Sequence, residues 1–118
     1  MKEKTLESYY ISKAEPFQSC LLALRHLILS IDPLITTERK FQIPVFQYRD
    51  KKLAYLWLNG RKLMIGFCLD KRVQPVTAGL QAKDIYESFR IDPDADLPVD
   101  VIRIKIKKLV QTIDEKLG

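Results

Sequence analysis

The chain has 118 residues, 47% of them hydrophobic and 30% charged, which suits one globular domain spanning residues 1–118 and excludes a disordered chain or two ordinary domains. Twenty basic residues against fifteen acidic ones leave a formal charge of +5, which permits an anionic partner without demanding one. Cys20 and Cys68 are widely separated and show no Cys-x-x-Cys spacing, so both read as buried reduced thiols.

The amino-terminal stretch Met-Lys-Glu-Lys-Thr-Leu-Glu lacks an apolar signal region, and the longest uninterrupted apolar run covers only residues 53–58. The expectation is therefore a cytoplasmic protein with no membrane partner. Residues 5–31 read as helical, with a break near residues 12–16, where Ser12 and Glu15 have capping-box spacing and Pro16 suits a first turn. Phe17, Cys20, Leu21, Leu24, Leu27, Ile28 and Ile31 form one stripe at helical period, with Leu22 and Leu29 off it and in need of cover from Leu6, Tyr9, Tyr10 and Ile11. Asp32-Pro33 ends the helix, because the residue before proline is pushed out of the α region.

Residues 40–68 predict an antiparallel meander of three strands joined by two turns. Asn59-Gly60 suits a two-residue type I′ turn, and residues 49–52 form a polar corner. Closing both hairpins symmetrically separates two faces. Ile43, Val45, Ala54, Leu56, Leu58, Leu63, Ile65 and Phe67 form an aliphatic face, expected to be core. Pro44, Phe46, Tyr48, Leu53, Tyr55, Trp57, Lys62, Met64 and Gly66 form an aromatic face, the candidate working surface, since Tyr and Trp pair an apolar body with a polar tip. Pro44 cannot donate to a ladder, which places this first strand of the meander at the sheet edge.

Residues 69–82 read as a long connection. Ile85 to Ile91 alternates as a further strand, with Glu87, Phe89 and Ile91 on one side and Tyr86, Ser88 and Arg90 on the other. After the turn at residues 92–98, Val99, Ile102, Ile106, Leu109, Val110, Ile113 and Leu117 fall within roughly 100° of a helical wheel, which favours a helix and leaves Ile104 off its stripe. The expected class is α+β: an antiparallel sheet of four to five strands with amino- and carboxy-terminal helices packed on one face.

The residues Glu38-x-Lys40-Phe-x-Ile-Pro-x-Phe46, Lys52-Leu-Ala-Tyr-Leu56 and Leu63-Met-Ile-Gly-Phe67, preceded by Leu24-Arg-His-Leu-Ile28 and followed by an apolar helix, resemble the YdhG-like family of small bacterial domains of unknown function. The resemblance runs through nearly the whole chain. It implies a frataxin-like architecture, and, through the iron-chaperone role proposed for some members, it implies iron as an alternative cargo. An iron site wants clustered carboxylates, and the early segment offers Glu3, Glu7 and Glu15 interleaved with Lys2, Lys4 and Lys13.

Candidate chemistry is sparse. His26 projects away from its helix's apolar stripe and reads as solvent-exposed; a single histidine makes neither a triad nor a zinc site. Asp92, Asp94 and Asp96 open like a calcium loop, which then fails at Leu97 and Arg103; they read as a turn and, as a weaker alternative, a metal site. Arg103, Lys105, Lys107 and Lys108 spread around their helix as a solvated face. The aromatic face remains: Pro44, Phe46, Tyr48, Tyr55, Trp57, Lys62, Met64 and Gly66, joined by Tyr86 and Arg90 from the next strand. Gly66 is expected to leave a depression beside Met64 and Trp57, with Lys62 and Arg90 as a cationic rim. Two readings stand, an open groove or a second small core beneath residues 69–82, and a partly covered groove satisfies both. The leading functional expectation is a binding domain without an obligate cofactor, taking a small ligand or a protein partner on this face. Frataxin-like iron handling and single-stranded nucleic-acid binding are the alternatives, the latter through bases stacked on Tyr55 and Trp57.

Overall fold

A five-stranded antiparallel sheet in sequential order carries three helices on one face in the computed structural model, which describes residues 6–40, 42–68 and 86–117, with the backbone alone for Tyr86 and Glu87. The elements are α1 (Leu6–Ile11), α2 (Phe17–Leu29), β1 (Ile35–Lys40), β2 (Ile43–Tyr48), β3 (Lys51–Asn59), β4 (Lys62–Cys68), β5 (Tyr86–Ile91) and α3 (Val99–Leu117). The arrangement is α+β, as the helix and strand patterns predict. β4 and β5 are neighbours; the connection expected at residues 69–82 lies outside the described residues.

The helical stripes behave as their period requires. Phe17, Cys20, Leu21, Leu24, Leu27 and Ile28 of α2, and Ile102, Ile106, Val110 and Ile113 of α3, are buried against the sheet. Ile104 is 64% exposed on the solvent side of α3. Tyr9 and Tyr10 of α1 are buried edge to face, with ring centroids 5.8 Å apart. Leu29 packs against the core, but Leu22 stays exposed, and so does Ile11, which gives it no cover.

The break between α1 and α2 is built differently from a capping box. The Ser12 hydroxyl donates back to the Tyr9 carbonyl at 2.8 Å and closes α1. Glu15 accepts the Ser19 backbone N–H at 3.0 Å and the Ser19 hydroxyl at 2.9 Å, satisfying an early donor of α2, while Pro16 occupies the N-cap.

Three features of the sheet depart from the symmetrical meander. The first is an additional strand, β1, paired with β2 from Ile35 opposite Tyr48 to Lys40 opposite Ile43. β1 therefore takes the sheet edge and β2 is interior. Pro44 is tolerated there because it is the second residue of the strand, beside the β1–β2 turn, where the ladder is ending.

The second departure is the β2–β3 turn. It is a tight loop, Arg49-Asp50, with both residues at positive φ (53° and 67°), the backbone pattern of a type I′ turn. Leu53 is an extra residue on β3, since Phe46 pairs with Ala54 and Gln47 with Lys52. Together these slip β2 by one position against the expected pairing, so that Val45 lies opposite Tyr55 and Phe46 opposite Ala54. A one-residue slip exchanges the faces of the whole strand.

The third departure is in the β3–β4 turn, which is formed by Gly60-Arg61 with only Gly60 at positive φ (63°). Asn59 pairs with Lys62, and the register moves by two residues, to Leu58 opposite Leu63, Leu56 opposite Ile65 and Ala54 opposite Phe67. A shift of two preserves the faces. Leu56, Leu63, Ile65 and Phe67 are fully buried beneath the helices, as expected.

Candidate functional site

Cross-strand register gathers Tyr55 and Trp57 of β3, Lys62, Met64 and Gly66 of β4, and Arg90 of β5 on the helix-free face; Tyr86 of β5 has a backbone position in the same alternation. Six of the ten expected site residues thus converge there with their side chains described. Three do not. Phe46 is fully buried and Tyr48 is 5% exposed, both within the helix-covered core, and Pro44 is buried in the slipped strand. Leu53, also expected on the aromatic face, is a fully buried core residue at the bulge. In their place the slip brings Val45 onto the helix-free face, opposite Tyr55. Ile43, expected in the core with Val45, is partly buried and packs against the core from the start of β2.

One cross-strand row defines the accessible part of the site. Trp57 pairs with Met64, and Met64 with Arg90. Trp57 is 42% exposed, Met64 is half-buried, and Lys62 and Arg90 are exposed. Lys62 lies two residues before Met64 on β4 and so shares its face. Met64 consequently has one cation beside it along the strand and another across the ladder. Arg90 also lines a cleft of about 410 Å³ with Asp92 and Pro93.

The next row, Val45–Tyr55–Gly66–Ser88, behaves otherwise. Val45 is buried, and the Tyr55 ring lies directly over Gly66, occupying the space a β-carbon would need. Gly66 is therefore a seat for Tyr55 and leaves no depression. Burial raises the Tyr55 phenol above its ordinary range. Farther toward the β2–β3 turn, Lys52 and Cys68 are buried as well. The helix-free face is thus closed at the β2–β3 end and open at the β3–β4 end, where Trp57 stands.

The other candidates are more ordinary. His26 is exposed. Asp92, Asp94 and Asp96 are exposed, and Asp92 accepts the Asp94 backbone N–H at 2.9 Å, a local turn bond. Among the described residues no three His, Cys, Asp or Glu side chains gather as a metal site. Glu7 pairs with Arg25 at 2.9 Å and Glu15 with Ser19; Glu3 lies outside the described residues. Of the basic residues on α3, Lys107 and Lys108 are exposed, Arg103 is 3.6 Å from Asp100, and Lys105 lies over the Phe89 ring at 5.3 Å. The α3 surface is therefore a mixed helix face in which Lys105 covers apolar surface with its stem and charge. No described helix is long and apolar enough to cross a membrane.

Comparison with family models, curated proteins and solved structures finds no match.

Proposed function

We propose that the chain is a small binding domain of YdhG-like type, cytoplasmic and non-enzymatic, that takes a small ligand on the open end of its helix-free sheet face. The observation that supports this is the row Trp57–Met64–Arg90: a large aromatic left 42% exposed, backed by a half-buried thioether and bordered by two exposed cations. Tryptophan combines a large apolar area with a hydrogen-bond donor, which suits it to a recognition surface.

Mapping amide shifts of the ¹⁵N-labelled chain against a ligand panel tests this reading. Shifts at Trp57, Lys62, Met64 and Arg90 support it. Shifts confined to α3 sink it.

A further inference from the structure

Resting on that reading of the face, we infer that its ligand is a small aromatic anion, with its ring over Trp57 and Met64 and its carboxylate or phosphate between Arg90 and Lys62. The aromatic half of the inference comes from the pair Trp57–Met64. An exposed indole offers a π-face to a flat ring, and the neighbouring thioether sulfur favours contact with aromatic edges. A flexible acyl chain gains neither contact and loses more rotamer freedom on binding.

The anionic half comes from charge placement. Lys62 and Arg90 border Met64 on two sides, and both are exposed. Among the described residues, Glu38 is 3.6 Å from Lys40, and Asp92, which lines the cleft beside Arg90, accepts the Asp94 N–H and leaves two cations against one carboxylate around Met64. Arginine presents a planar fork that matches carboxylate and phosphate alike.

The spacing limits size. Trp57 and Arg90 are two strand spacings apart, about 10 Å between backbones, which suits one or two fused rings bearing a single anionic group. A polymer needs a longer track than this row provides.

The test titrates the ¹⁵N-labelled chain with 2-naphthoate, 2-naphthyl phosphate, neutral 2-naphthalenemethanol, octanoate and a short oligothymidylate, following the Trp57 indole N–H and the Met64 and Arg90 amides. The expected result is that both naphthyl anions shift these signals and bind about tenfold more tightly than the neutral alcohol or octanoate. Whichever of the two binds more tightly identifies the anionic group. Arg90→Gln removes the tenfold preference and retains the weak shift by the alcohol, while Trp57→Ala removes both. Equal binding of octanoate or the alcohol at these residues overturns the aromatic-anion assignment and leaves the face standing. Tighter, steeply salt-dependent binding of oligothymidylate overturns it in favour of a polynucleotide. Broadening of the same signals with protein concentration alone overturns it in favour of a second copy. If none of the probes moves these signals, the assignment falls, and if they move other surfaces instead, the face itself is refuted.

Discussion

The Tyr48 hydroxyl donates to Asp114 Oδ1 at 2.8 Å, tying the end of β2 to the last turns of α3 across 66 positions of sequence. Arg49 Nη1 donates to the same oxygen at 3.0 Å. The two bonds are unequal in worth. Tyr48 is 5% exposed and bonds to a charged acceptor, so Tyr48→Phe is expected to cost more than Arg49→Ala. The Arg49 and Asp114 side chains are 40% and 46% exposed, so Arg49→Ala is expected to cost less than about 1 kcal/mol. Urea denaturation of the two variants checks the order, and a larger loss for Arg49→Ala contradicts it.

The tyrosines set an alkaline limit. Tyr48 is raised by its bond to the Asp114 carboxylate and then by burial, while Tyr9, Tyr10 and Tyr55 are raised chiefly by burial. An unfolded tyrosine titrates near about 10. Their contribution is therefore complete below about pH 10 and is lost as pH climbs through the higher folded values. Urea midpoints are expected to stay level with respect to tyrosine ionisation up to about pH 9 and to fall beyond about pH 10.

Tyr10 allows a sharper version at neutral pH. Its hydroxyl is buried and has no hydrogen-bond partner among the described residues, with the Arg25 guanidinium 5.2 Å from the ring centroid. Removing an unsatisfied buried hydroxyl while keeping the ring is expected to stabilise the fold, so Tyr10→Phe gains about 1 kcal/mol and raises Tm by a few degrees. Calorimetry decides; a lower Tm refutes it.

Gly66 and Tyr55 are expected to be coupled. A β-carbon at residue 66 meets the far end of the Tyr55 ring, so Gly66→Ala displaces that ring and costs about 1–3 kcal/mol. In the Tyr55→Ala background the penalty is expected to shrink by at least about 0.5 kcal/mol, measured as a double-mutant cycle. Additive losses show that the glycine is needed for some other reason.

The slipped register makes a prediction of its own. Phe46→Ala is expected to cost about 3–5 kcal/mol as a core truncation. Trp57→Ala, at a site 42% exposed, is expected to cost no more than about 1 kcal/mol. Denaturant midpoints compare the two, and a mild Phe46 variant means that β2 presents the opposite face.

Much of this architecture was legible from periodicity. Both long helices, the placement of Ile104 outside its stripe, the faces of β4 and those of β3 from Ala54 onward follow from spacing alone, because core burial enforces those periods. β1 escaped because Ile35-Thr-Thr-Glu-Arg-Lys is a polar edge strand with one buried residue, Ile35, and so carries no convincing alternation. The misplacement of Pro44, Phe46 and Tyr48 has a local cause. Arg49-Asp50 adopts left-handed backbone at both positions without the glycine that advertises such a turn, and the bulge at Leu53 leaves no mark in composition. The one legible hint was Pro33 followed by Ile35-Thr36-Thr37, β-branched residues of the kind that favour a strand.

Trp57 is the sole tryptophan of the chain, and it stands half in water on the face away from the core. Its emission should already carry much of the red shift of an indole in solvent, so denaturation should add only part of it. Fluorescence excited at the red edge of protein absorption would then report the sheet surface more strongly than the core. Cooperative melting is better followed by far-ultraviolet dichroism of the helices and sheet, with the packed Tyr9–Tyr10 pair contributing in the near ultraviolet.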